Sequence, residues 1–133
     1  MNFLKELRRG VFNGYIDDDI IASDAFKPRL IVNDAEKGEK VLTSINDELM
    51  KCDAFWFSVA FVTNGGVTTL LNTLKELESK GIKGTIIASQ YQKFSQPSAL
   101  RKLLQFKNIE LYIVPEDRYH MHAKAYNFKR EEE

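Results

Sequence analysis

The chain has a single cysteine, Cys52, so it has no disulfide framework and no cysteine pair at any metal-ligand spacing. A reducing, intracellular setting follows, and the cytoplasm is the expected compartment. No apolar run is long enough to span a bilayer. The opening stretch, Met1-Asn2-Phe3-Leu4-Lys5-Glu6-Leu7-Arg8-Arg9, is too charged for a signal-peptide core, so no membrane partner is expected. Net charge is also absent, because 19 basic residues balance 19 acidic ones. That excludes nucleic-acid binding by bulk positive charge. What remains is an ordinary globular composition, 44% hydrophobic and 29% charged, in 133 residues that suit one domain with a sizeable core.

Local charge says more than the total. Between Glu78 and Glu110 lie Lys80, Lys83, Lys93, Arg101, Lys102 and Lys107 with no acid among them, whereas the first sixty residues carry 11 acids and 8 bases. A polyanion would favour the C-terminal half. A solvated helix face with a few lysines reads the same way.

Residues 1–27 read as an N-terminal helical extension. Positions 2 to 11 form a short amphipathic helix with Phe3, Leu4, Leu7 and Val11 on one side, weakened by Gly10 and Gly14. Asp17-Asp18-Asp19 is a solvated cap or loop rather than a metal site, since consecutive residues point in different directions. Residues 28–133 read as an α/β domain. Leu30-Ile31-Val32 is a strand or a docking segment, and Val41, Leu42, Ile45, Leu49 and Met50 mark a helix between Lys37 and Cys52. Ala54 to Val62 is nearly all apolar, as in a strand covered on both faces.

Thr63-Asn64-Gly65-Gly66 forms the turn into a helix from about Val67 to Ser79, with Leu70, Leu71, Leu74 and Leu77 as its buried stripe and Gly81 as its stop. The pattern then repeats: a strand from Ile82 to Ser89, a loop from Gln90, a helix from Pro97 through Phe106, and a strand from Ile109 to Val114. Strands alternating with helices predict a mainly parallel sheet between helical layers. Ligands of such sheets collect beyond the carboxyl ends of the strands, which is where Thr63 to Gly66 and Ser89 to Ser95 fall. Ser58 and Ser89 either line a site there or bond to backbone.

His120-Met121-His122-Ala123-Lys124-Ala125-Tyr126-Asn127-Phe128 alternates as a strand that would project His120, His122 and Lys124 from one face. Three basic groups on one small surface are easiest to explain if an anion visits, and phosphate is the simplest candidate. Outward Lys and His also blunt an edge strand against further pairing. Histidines two apart are also a possible metal pair, but a third and fourth ligand are not in evidence. No metal or other cofactor is expected.

His122-Ala123-Lys124 resembles the H-x-K core of the phospholipase D superfamily. A wider series carries the likeness: Cys52 to Thr63, Gly81-Ile82-Lys83-Gly84, Ser89 to Leu100, and His122-Ala123-Lys124. Together these resemble the phospholipase D-like nuclease domain at the N-terminus of certain bacterial superfamily II helicases, over about residues 28 to 130. Lys129 stands where the full motif, H-x-K-x4-D, has Asp, a position that varies in the nuclease branch. The downstream Gly/Ser/Asn segment of the phosphate pocket would fall beyond Glu133, and the charged run Lys129 to Glu133 ends the chain without a further helix, so a fragment with an incomplete site is expected.

The resemblance implies a metal-independent hydrolase of phosphodiesters, with His122 as the nucleophile and Lys124 compensating charge on the non-bridging oxygens. A second histidine from another half-site would protonate the leaving oxygen, so a homodimer or another part of a longer protein is expected to complete the site. The implied partners are DNA, or RNA, and an ATP-binding helicase motor in the same full-length protein. The candidate substrate-binding residues are His120, Ser58, Thr63, Asn64, Ser89, Gln90 and Lys93. Two other readings stand beside the nuclease: an inactive module that grips the nucleic-acid backbone to position a helicase, and a structural α/β interaction domain.

Overall fold

A computed structural model describes residues 2–131, which form two compact units divided between Val41 and Leu42. Met1, Glu132 and Glu133 lie outside the described residues, so the end of the charged run is not assigned.

In the first unit, α1 (Phe3–Tyr15) runs further than the apolar spacing predicts. Its expected buried stripe is largely exposed, and the residues it buries are Gly10 and Asn13. The reason is the returning chain: a side chain at Gly10 would strike the Phe26 backbone, and one at Gly14 would strike Pro28. The glycines therefore serve close approach rather than weakening the helix. Asn13 Nδ2 donates to the carbonyls of Asp18 (2.9 Å) and Ile20 (2.8 Å), fixing the acidic run as a loop. Leu30-Ile31-Val32 is neither strand nor helix. The expected helical start at Lys37 is taken by a turn in which Asp34 and Glu39 exchange backbone hydrogen bonds and Asp34 Oδ1 accepts the N–H groups of Glu36 and Lys37.

The second unit contains α2 (Val41–Lys51) from Leu42 onward, β1 (Ala54–Val59), α3 (Asn64–Ser79), β2 (Lys83–Ser89), α4 (Pro97–Leu103), β3 (Ile109–Val114) and β4 (Ala125–Lys129). The strand order is β3-β2-β1-β4, with β1, β2 and β3 parallel and β4 antiparallel to β1. The fold is thus α/β with a mixed, mainly parallel open sheet and helices around it. α3 begins three residues before the spacing predicts because Thr63 caps it, its Oγ1 accepting the Gly66 N–H, which places Gly65 and Gly66 inside the first turn. α4 stops at Leu103, where the chain tightens so that Phe106 turns into the core.

Winding explains where the core sits. From β1 to β2 to β3 the chain steps in one direction across the sheet, and right-handed crossovers then place α3 and α4 on the same face. Phe55, Phe57, Ile86, Ala88 and Ile109 on that face pack with Leu49 of α2, Leu74 and Leu77 of α3, and Ala99 and Leu103 of α4. On the other side of β1 lies β4, reached through residues 115–124 without a helix. β1 is therefore not covered on both faces: Phe55 is fully buried, whereas Trp56 on the opposite face is 45% exposed and Tyr112, two strands away on that face, is 55% exposed.

Gly84 is the tightest point of the core face, because a Cβ there would enter the Phe55 ring. Gly84→Ala should lower stability by about 1–3 kcal/mol through overpacking, read by urea unfolding. Adding Phe55→Leu should return part of that loss by vacating the space, and strictly additive losses would contradict the packing. Cys52 is buried at the end of α2 with its thiol donating to the Leu49 carbonyl at 3.2 Å. Burial foremost, and then the neighbouring Asp53 carboxylate, push that thiol up, against the lowering effect of its backbone hydrogen bond. Iodoacetamide at pH 8 should leave the native chain largely unlabelled over a time in which the urea-unfolded chain is labelled completely. Equal rates would contradict a sequestered thiol.

Candidate functional site

The three parallel strands end at Val59, Ser89 and Val114. β4 runs the other way and its first residue, Ala125, pairs with Ser58 near the end of β1. The residues just before Ala125 are thereby carried to the carboxyl rim of the sheet, the position at which open α/β sheets collect ligands. The backbone of β4 holds that placement, since the Asp53 N–H donates to the Lys129 carbonyl (2.8 Å) and the Glu131 N–H to Asp53 Oδ2 (2.7 Å) at the strand's far end. Arg130 pairs there with Glu48 of α2.

His120, His122 and Lys124 are not strand residues, because 119–124 is irregular and pairing starts only at Ala125. The irregular backbone still brings two of the three together. Lys124 Nζ lies 2.7 Å from His122 Nε2 and 3.3 Å from the His122 carbonyl, and both side chains are exposed. An ammonium has protons and no lone pair, so this contact is a hydrogen bond only with Nε2 as the acceptor. His120 is exposed, and among the described residues no hydrogen bond or ring contact joins it to His122.

A second element meets this pair. The Tyr91 ring, two residues beyond the end of β2, lies 4.6 Å from the His122 ring at an interplanar angle of 56°. Ser89, 1% exposed, accepts the Tyr91 N–H on its Oγ (3.0 Å), and its carbonyl accepts the Ser95 hydroxyl (2.7 Å). The same Ser95 oxygen accepts the Val62 N–H at 3.1 Å. Ser89 is thus a buried organiser of the loop rather than a surface contact. The Gln90 N–H donates to the Val114 carbonyl (3.1 Å) and the Gln92 N–H to Glu116 Oε1 (3.1 Å). Gln90 and Lys93 line a concavity of about 690 Å³ together with Ser95, Pro97, Leu100, Glu116 and Asp117.

The other candidates are spread out. Ser58 is half-buried on β1 beside Ala125. Thr63 is occupied as the cap of α3, and Asn64 bonds across to α4, its Nδ2 donating to Ser98 Oγ (2.6 Å) and its backbone N–H to Gln96 Oε1 (2.6 Å). Both residues stitch the rim without touching His122. The basic run does not form one surface either. Lys83 opens β2 and Lys107 precedes β3, at the amino ends of the strands, opposite the histidine, and Lys80 is paired with Glu76 at 2.6 Å. Lys129 pairs with Ala54, about 13 Å of strand from Ala125, and bonds to Glu131 at 3.1 Å. A carboxylate at position 129 would therefore sit at the far end of β4 from His122.

Tyr91, Ser95 and Glu116 are the members of this arrangement that spacing does not single out. Their only signal is position, each lying just past the end of a strand or in the loop that follows one. Among the described residues no helix is long and apolar enough to cross a membrane, and no group of three or more His, Cys, Asp or Glu could hold a metal ion. No known family model matches the chain, and no curated protein matches it at a significant level.

Proposed function

We propose that this chain is a phospholipase D-like phosphodiesterase domain that acts on the DNA backbone beside a helicase motor. The observation that carries the reading is the 2.7 Å approach of Lys124 Nζ to His122 Nε2 on an exposed segment at the sheet's carboxyl rim. A phosphodiester arriving there offers the ammonium two anionic oxygens, a better partner than a neutral ring nitrogen. Lys124 moves to those oxygens and the Nε2 lone pair is released toward phosphorus. Attack forms the N–P bond as the P–O bond to the leaving alkoxide breaks, with Lys124 compensating the charge that builds on the non-bridging oxygens. An acid supplies the alkoxide's proton, and water then hydrolyses the phosphohistidine to restore the imidazole. Since the chain has one H-x-K, that acid is a second imidazole from another copy of the chain or another part of a longer protein.

The isolation of His122 from His120 favours a second reading, a module that grips the backbone without cleaving it. The two readings separate on one set of measurements. With EDTA present, the chain together with whatever supplies the second imidazole, a second copy or the full-length protein, should cleave DNA and bis-p-nitrophenyl phosphate, and His122→Asn should lower kcat by about 10⁴-fold or more while DNA binding persists. Cleavage surviving that substitution would contradict His122 as the nucleophile. If a second copy completes the site, specific activity should rise with chain concentration. Salt-dependent binding that weakens on Lys124→Ala, with no cleavage either by the chain at any concentration or by the full-length protein, would instead establish the gripping module.

A further inference from the structure

Once Lys124 has moved to the substrate, the His122 imidazole needs another support to stay aimed at phosphorus. His122 lies outside the sheet ladder and its side chain is exposed, so neither strand pairing nor burial fixes the ring. Two described groups touch it, Lys124 and Tyr91. Lys124 is the mobile one, a cation on a long flexible stem that the phosphate draws away. We infer that Tyr91 is a positioning residue, a fixed aromatic wall that keeps the His122 ring oriented toward phosphorus after Lys124 has transferred to the substrate. This rests on the nuclease reading.

Tyr91 is built for stiffness. Its N–H is bonded to a serine that is itself buried, and the residues on either side are tied to β3 and to Glu116. Gln92 and Lys93 follow it at φ 46° and 58°, the two non-glycine residues of the described chain with positive φ. Such conformations persist where surrounding contacts over-determine them, and they concentrate at functional sites. The ring is also backed by others, with Tyr91 against Phe94 at 6.3 Å and Phe94 edge-on to Phe61 at 5.8 Å, just beyond β1. A row of four rings, Phe61, Phe94, Tyr91 and His122, therefore connects the exit of β1 to the nucleophile. Among the described residues the Tyr91 hydroxyl has no hydrogen-bond partner, so the ring rather than the hydroxyl is the working part.

The test compares Tyr91→Phe and Tyr91→Leu in the whole chain by steady-state cleavage of bis-p-nitrophenyl phosphate and by proton NMR of the imidazoles. The chain has two histidines, so a His120→Gln background identifies the His122 resonances. In the native chain these should be displaced by the ring current of Tyr91. Tyr91→Phe should preserve both the displacement and kcat. Tyr91→Leu should abolish the displacement and lower kcat by about 10- to 100-fold with KM nearly unchanged, as misorientation of a reacting group does. A Leu variant that loses the displacement yet retains full kcat would overturn the positioning role and leave the nuclease reading intact. So would a Phe variant as impaired as Leu, since the hydroxyl would then be the working part. Absence of cleavage both by the native chain at every concentration and by the full-length protein would overturn the nuclease reading and, with it, the purpose assigned to Tyr91.

Discussion

The antiparallel pairing of β4 with β1 is the constraint on which the rest depends. Five residues of β4 lie against Ala54 to Ser58, and the direction of the pairing decides that the stretch before Ala125, not the stretch after Lys129, reaches the carboxyl rim. A parallel strand in the same place would carry His122 and Lys124 to the opposite pole, among the amino ends that hold Lys83 and Lys107. The pairing is secured on the core face by Tyr126 and Phe128, whose rings stand edge-on to Phe57 at 4.8 and 5.8 Å. Aromatic contact between neighbouring strands supplies directional packing as well as apolar burial.

From that placement the site assembles from two connections of different character. The one after β2 is short, stiff and heavily bonded through Ser89, Ser95 and Glu116. The one before β4 is irregular and largely exposed over 119–124 and carries His122 and Lys124. The two connections meet where the Tyr91 ring lies against the His122 ring. Acidic neighbours temper the electrostatics, because Glu116 and Asp117 line the concavity next to Lys93. On the proposed reading, recognition of an anion here would rest on a directed ammonium rather than on a broad positive field, in keeping with a chain whose charges balance.

Much of the sheet was legible because its signals are local. Alternation and branched residues mark β2 and β3 to within a residue, and the leucine stripe together with Gly81 marks α3 and its end. What escaped was set by long-range winding. Apolar richness from Ala54 to Val62 suggests two covered faces, yet the one-way step from β1 to β3 puts α3 and α4 on the same side and leaves Trp56 half-exposed. Alternation from His120 to Phe128 suggests one long strand, yet β1 offers partners only as far as Ser58 on this side, and the pairing begins at Ala125. The meeting of His122 and Lys124 was readable from their spacing, whereas the approach of Tyr91 was not. Its approach joins positions 31 residues apart, and no period along the chain encodes such a contact.

The most direct measurement is a backbone-amide NMR titration of the chain with dimethyl phosphate, a minimal diester without bases or metal. Shifts concentrated in residues 89–96 and 119–125 and lost on Lys124→Ala would be the predicted result. Shifts confined to the amino-end lysines Lys80, Lys83 and Lys107, or a histidine segment unresponsive at saturating diester, would contradict the account.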